Sequence, residues 1–363
     1  MRILYGVQAT GNGHITRARA LAPLLAKGGA QVDYLFSGRE PDRLFDMAVF
    51  GDYQCRKGLT FVTRAGRICY LPTLMQADFR QLMRDVKSLD LQQYDLVVTD
   101  FEPITAWAAK RAGKPSVAIG HQYAFARDVP KAANGLLAST ILRYMAPARI
   151  ELGVHWHHFD QAVLPPIIEP HAHNSPMANR VLVYLPFEDG LEVMSLLQQQ
   201  QGYYFHFFSP ELMPGVYANV QVHALSRDGF AEQLALAESV FCNAGFELAS
   251  EALALGRKIL VKPVRGQMEQ VSNAVALQQL GYGWQMPTLD AAYLSRWLRE
   301  AKAVQINYPD VAGYLAQWLC QGAHEPVAQM AQKLWSEDSV ILKSTAAAGR
   351  AQKIEQKESV KIA

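Results

Sequence analysis

Cysteine is scarce in this chain, and what there is lies scattered. The four thiols in 363 residues, Cys55, Cys69, Cys242 and Cys320, form no C-x-x-C pair, which argues against a disulfide framework or a cysteine-based zinc site. An excess of one charge is also missing. Lys and Arg number 35 against 33 Asp and Glu, a formal +2, with no dense basic block of the kind a nucleic-acid groove needs. Nucleic acid is therefore not an expected partner. No apolar run approaches the roughly 18 to 20 residues of a membrane-crossing helix, so any membrane contact is expected to be peripheral. The first residues spell a strand rather than a charged and apolar leader, and the expected location is the cytoplasm, extending to the inner face of the membrane. There is neither a fixed-period repeat nor a low-complexity tract.

What the chain does have is length and apolar content. Half of its residues are hydrophobic, and single cores stop growing at roughly 250 to 300 residues, so two domains with a cleft are expected. Short β-branched or apolar runs alternate with helical patterns, the signature of parallel sheets covered by helices. In the first half the runs are residues 3–7, 32–36, 96–99 and 116–119. A helix is expected over 15–27, where Ile15, Ala18, Ala22 and Leu25 recur at helical spacing, with Pro23 bending it and Gly28-Gly29 ending it. A second series follows at 180–185, 203–208, 220–224, 239–242 and 258–261, with helical patterns over 246–255 and 267–280 and a run of helices over 290–342. The expected organisation is an α/β protein of two Rossmann-like domains facing a cleft. Residues 1–160 form the first, 161–179 a Pro- and His-rich linker, 180–342 the second with its carboxy-terminal helices, and 343–363 a charged tail.

The stretch "GNGHITRARAL" follows directly on the first strand. Gly11 and Gly13 permit positive φ and close approach of a ligand, and the helix they introduce offers unpaired N–H groups and a partial positive charge to a phosphate. The third glycine of a dinucleotide fingerprint is missing, and no acid ends the second strand, so a nicotinamide cofactor is disfavoured. His14 stands at the carboxyl edge of the first strand, where open α/β sheets bind ligands, and an imidazole there can take a proton from a substrate hydroxyl. Asp100 closes the strand "YDLVVTD" and is expected beside it, orienting the imidazole and stabilising its protonated form. The plainer alternatives are a tight turn with a capping His14, and Asp100 as the N-cap of a helix starting near Pro103.

The segment "SVFCNAGFELASEALALGRKILVKPVRGQMEQVSNA" carries more specificity. Asn243, Ala244, Gly245 and Phe246 make a small-residue turn between strand and helix, whose N–H groups can hold a diphosphate. With the amino-terminal "GNGH", the runs "NAGFELASEAL" and "GQMEQVSNA" resemble the GT-B glycosyltransferases, most of all a MurG-like prokaryotic set. The resemblance implies a two-lobed GT-B fold, an enzyme moving a sugar from a nucleotide donor, with UDP the expected nucleotide, and no cofactor or metal. It further implies that Glu251 accepts the ribose hydroxyls and that Glu269 and Gln270, with Gln267 beside them, bond the donor sugar. Plant members carry His, Asn and Ser where this chain has Asn243, Glu247 and Leu248, so those side-chain contacts do not transfer. Arg227, in the loop expected to line the base pocket, is a candidate cation for the phosphates, with a surface salt bridge as the alternative.

The acceptor stays open among a glycolipid, a polysaccharide and a small metabolite. A nucleotide-sugar 2-epimerase and a non-catalytic nucleotide-sugar sensor are the rival readings. His121, after the strand at 116–119, is either an acceptor-site group or a packed loop histidine. The histidines at 155, 157, 158, 171 and 173 do not match a structural zinc pattern. Apolar residues 71–79 form either an acceptor or lipid-facing lip or a loop tucked into the core.

Overall fold

The computed structural model describes residues 1–59, 63–64, 67–68, 78–132, 144–169, 174–336 and 341–344. The chain divides into two units, Met1–Pro170 with Tyr308–Ser339, and His171–Asn307 with Val340–Ala363. Cys69, residues 71–77, His171, His173 and residues 345–363 of the expected tail lie outside the described residues.

The first unit opens with β1 (Arg2–Gln8), α1 (Asn12–Lys27), β2 (Gln31–Ser37) and β3 (Tyr53–Arg56). A small hairpin, β4 (Thr63–Arg64) and β5 (Arg67–Ile68), precedes α2 (Phe79–Ser88), β6 (Leu96–Asp100), α3 (Pro103–Ala112), β7 (Ser116–Gly120) and β8 (Ile150–Gly153). Strands β1, β6 and β7 are apolar along nearly their whole length because both faces of a central parallel strand are covered. The order in the sheet is β3-β2-β1-β6-β7-β8, all parallel. That order reverses between β1 and β6, so their carboxyl ends flank the crevice where such sheets take ligands. Val7 pairs with Asp100 across it. Gly6 is required by packing: a Cβ there would lie 2.0 Å from Thr105 Oγ1 on α3.

The second unit repeats the plan. It runs β9 (Arg180–Tyr184), α4 (Gly190–Gln198), β10 (Tyr204–Phe208), β11 (Gly215–Tyr217), β12 (Val220–His223), α5 (Arg227–Leu236), β13 (Ser239–Asn243), α6 (Phe246–Ala254), β14 (Lys258–Lys262), α7 (Met268–Gln279), β15 (Trp284–Gln285) and α8 (Ala291–Glu300). The sheet order is β11-β12-β10-β9-β13-β14-β15, parallel except for the edge strand β11, with its reversal between β9 and β13. Its core gathers Val181, Val183, Phe205, Phe207, Phe241 and Trp297.

Three expectations need correction. The region 290–342 is not helical throughout: β16 (Val304–Asn307) pairs antiparallel with β17 (Ile341–Ser344). Four-residue strands are too short to show a period against their surroundings. The helices α9 (Val311–Cys320) and α10 (Val327–Leu334) belong to the first unit, not to the 180–342 half. There α9 packs on α1, and a Cβ on Gly28 would come within 2.7 Å of Cys320 Sγ. Pro23 sits inside an uninterrupted α1, which begins at Asn12 rather than at 15. Among the described residues, no helix is long and apolar enough to cross a membrane.

Three imidazoles, buried at His155 and His206 and half-buried at His157, make the fold acid-sensitive. Burial first, and then neighbouring charge, holds His155 well below its usual range and lowers His157 and His206 to about 4. In the unfolded chain they bind protons near 6.5, so between about pH 6.5 and about 4 the unfolded state holds more protons and stability falls with pH. We expect the midpoint of thermal unfolding to drop through that window, and to drop less in His157→Asn, whose amide oxygen can take over the acceptance from the Phe159 N–H now made by Nδ1. A midpoint indifferent to pH in this range contradicts the assignment.

Candidate active site

At the switch point of the first sheet, α1 starts from Gly11, an extended N-cap with no side-chain capping bond. Neither Gly11 nor Gly13 takes positive φ, contrary to expectation: Gly11 has φ −118° and Gly13 lies within the first helical turn. The space beside Gly11 is open, since a Cβ there meets nothing within 4 Å. His14 is the third residue of the helix, and its Nδ1 lies 2.6 Å from Asp100 Oδ1. With Nδ1–H donated to that carboxylate, Nε2 is left as the basic nitrogen. The ring is 14% exposed, whereas the carboxylate is 0% exposed.

Asp100 is not the cap of α3. Glu102 holds that place, its carboxylate accepting from Ile104 N at 2.9 Å and Thr105 N at 2.7 Å, and from the Ser37 hydroxyl at 2.7 Å. Between them Phe101 has φ +56°, a left-handed conformation that a bulky residue adopts only at a cost of order 1–3 kcal/mol. This kink lets two successive acids, Asp100 and Glu102, serve different partners, and it lays the Phe101 ring parallel to His14 at 6.3 Å.

The contact absent from the sequence reading is Arg17. It lies one turn beyond His14 on the same helical face and grips Asp100 with both prongs, Nε to Oδ2 at 2.7 Å and an Nη to Oδ1 at 2.6 Å. Its signal was the i, i+3 spacing in "GHITR". Burial pushes the Asp100 carboxyl up, but the Arg17 guanidinium and then His14 outweigh it and hold it below the usual carboxylate range. His121, by contrast, is packed, with Nδ1 bonded to Val154 O at 2.8 Å.

In the second unit, Asn243 ends β13 and Gly245 is the N-cap of α6, with no side-chain cap. The turn is braced from α7, where buried Asn273 donates to Ala244 O at 2.9 Å. Ala244 and Phe246 bury their side chains, so what they can offer a ligand is backbone. Glu247 in the first turn suits the positive end of the helix, a sufficient reason for an acid there. Glu251 is half-buried further along α6, while Gln267 caps α7 and Glu269 stands in its first turn. Gln270 is buried and its Oε1 accepts from Val264 N at 2.9 Å, so that oxygen serves the fold. Arg227 is exposed at the first position of α5.

A second group unforeseen from sequence lies at this sheet's switch point. Lys262, paired with Asn243 across β14 and β13, places Nζ 2.6 Å from Glu188 Oε2 with both side chains under 9% exposed. Asn243 Nδ2 donates to Lys262 O at 2.8 Å and to Glu188 Oε1 at 3.2 Å, and its own Oδ1 is buried without a partner. Gly11 and Gly13 lie in the first unit with His14, whereas the Asn243 turn belongs to the second. No cluster of three or more His, Cys, Asp or Glu able to hold a metal ion occurs among the described residues.

Two Rossmann-type units, one with a carboxylate-oriented histidine and the other with an uncapped helix at its switch point, define the two-domain architecture of the GT-B transferases. The sequence pattern of glycosyl transferase family 1 matches residues 1–301, and the chain belongs to that family. It is a glycosyltransferase. No curated protein matches the sequence. Among solved structures it is similar to the spinosyn rhamnosyltransferase SpnG, at 16% identity over 92% of this chain and 100% of that one, with a TM-score of 0.57. It is similar also to the glycosyltransferase VinC in complex with dTDP, at 16% identity over 92% and 98%, with a TM-score of 0.52. Acinetobacter baumannii MurG matches at 15% identity over 92% and 99%, also at 0.52. Family membership favours a transferase over the epimerase and sensor readings.

Proposed function

We propose that the chain is an inverting glycosyltransferase that moves a sugar from a nucleoside diphosphate, with UDP the expected nucleotide, to an acceptor hydroxyl, and that no step calls on a metal ion. The observation that carries this reading is the 2.6 Å contact of His14 Nδ1 with Asp100 at a ligand-binding sheet edge, which leaves Nε2 as the base. Nε2 takes the hydroxyl proton, the oxygen attacks the anomeric carbon opposite the diphosphate, and the bond to the diphosphate breaks with its electron pair leaving on the phosphate. Asp100 stabilises the imidazolium formed. The backbone N–H groups at Gly245 and Phe246 and the α6 dipole offset the departing charge. Lys262 supplies the cation for which Arg227 was the sequence candidate, and Glu251, Glu269 and Gln267 bond the ribose and sugar hydroxyls.

His14→Ala is expected to lower kcat by about 10² to 10⁴ while donor affinity stays within about twofold. Equal loss of both would move His14 to a binding role. In a thermal-shift panel of nucleotide sugars, the true donor at about 100 times its Kd should stabilise the protein by about 2.7 kcal/mol. A UDP-sugar should lead the panel, and a dTDP-sugar in that place contradicts the base assignment. Lys262→Met should weaken the donor's effect, and an unchanged shift removes Lys262 from the site.

Peripheral membrane contact is supported by α2, whose outer surface carries Phe79 and Met83, 51% and 47% exposed, among Arg80, Arg84 and Lys87. Such a face suits an anionic bilayer. The protein should co-sediment with vesicles containing phosphatidylglycerol, and Phe79→Ser/Met83→Ser should release it. Equal sedimentation of the two proteins counts against this surface.

A further inference from the structure

Arg17 is an uncommon residue to find where it lies. Its side chain is 2% exposed, on a helix in the first unit, and a buried guanidinium is costly unless every contact compensates it. It makes a planar two-pronged pair with Asp100, and the Nη that bonds Oδ1 also lies 3.1 Å from His14 Nδ1. Oδ1 is thus shared by the imidazole and the guanidinium. Gly120, the last residue of β7, lies beside the pair: a Cβ there would sit at van der Waals distance, 3.4 Å from that Nη and 3.5 Å from Asp100 Oδ1.

We infer that Arg17 is a positioning residue for glycosyl transfer, fixing the plane of the Asp100 carboxylate and limiting how much of its negative charge His14 experiences. The inference rests on the reading of His14 as the base. Two physical effects follow from the geometry. The fork fixes the direction from which Oδ1 meets Nδ1, which a single ammonium cannot do. Its positive charge, as close to the imidazole as the carboxylate's partner can be, opposes the attraction of Asp100 for a proton on His14. Asp100 still stabilises the imidazolium once it forms.

The other titratable groups around Asp100 do not supply this balance. Tyr5 on β1 and Tyr123 after β7 are both held well above 10, by burial first and by Asp100 next, and so stay neutral. Glu151 acts on Tyr123 from β8. Glu102 is occupied by Ser37, Ile104 and Thr105. The Arg17 guanidinium is the positive charge in direct contact with the dyad.

The test measures kcat, donor KM and the pH profile of kcat/KM for Arg17→Gln and Arg17→Lys, each alone and with Asp100→Asn, beside His14→Ala. Arg17→Gln should lower kcat about tenfold or more at neutral pH with donor KM unchanged, and move the acidic limb of the profile to higher pH, because a positive charge beside the imidazole is gone. Arg17→Lys keeps the charge but loses the fork, so kcat should fall while the limb stays in place. In the Asp100→Asn background neither change should alter kcat by more than about twofold, because the two residues act as one unit. An unmoved limb in Arg17→Gln, wild-type turnover in Arg17→Lys, or losses that multiply with Asp100→Asn would overturn the inference. Should Arg17→Gln fail to fold, Arg17→Lys decides: kcat loss with an unshifted limb supports it, wild-type turnover ends it. Full activity in His14→Ala would remove the base assignment and this inference together, whereas an inactive His14→Ala beside a wild-type Arg17→Gln removes the inference alone.

Discussion

The first unit depends on a carboxylate withdrawn from water. Asp100 is fully buried at the end of a central strand, and an ionised carboxylate in such a place must be met by charge and by hydrogen bonds. Both come from one helix, since His14 and Arg17 are a turn apart on α1. Much else follows from keeping that helix start in position. β1 and β6 must be neighbours, Gly6 must leave room for α3, and the left-handed Phe101 must turn Asp100 one way and Glu102 another. The returning helix α9 packs along α1 from the far end of the sequence. A buried ion pair of this kind adds little net stability over an apolar replacement, so its place at a ligand-binding edge points to chemistry.

The second unit meets a different demand with the same topology. Its switch point presents an uncapped helix start at Gly245 instead of a histidine, and the turn is pinned from below by Asn273. Open backbone N–H groups at a helix start are a weak site alone, because a half-charge faces a diphosphate of two or more negative charges. The buried Glu188–Lys262 pair stands at the same end of this sheet, each charge neutralised by the other. The two units therefore carry different charge patterns on one fold plan.

The alternation of strands and helices is legible in the sequence because central parallel strands are short and apolar along nearly their whole length. So is the pairing of His14 with Asp100, since a rule about parallel sheets places both residues at the carboxyl ends of strands that can be neighbours. Arg17 escaped because an arginine on a helix reads as a solvated face until one knows which side of α1 meets the sheet. Lys262 and Glu188 escaped for a similar reason: they are 74 positions apart, and only the order β9-β13-β14 brings them together. The glycines of "GNGH" were over-read as positive-φ positions, when a helix beginning at Asn12 absorbs Gly13 and leaves Gly11 extended. The return of α9 and α10 to the first unit is a long-range packing choice with no local signature.

The most direct test of the account is the protonation pattern of one imidazole. Long-range proton–nitrogen correlation NMR on the protein labelled at histidine nitrogens, with His14 assigned by its absence in His14→Gln, reports which ring nitrogen carries hydrogen in the resting enzyme. The account predicts a proton on Nδ1, toward Asp100, and none on Nε2. A proton found on Nε2 would leave no base facing the acceptor and would contradict it.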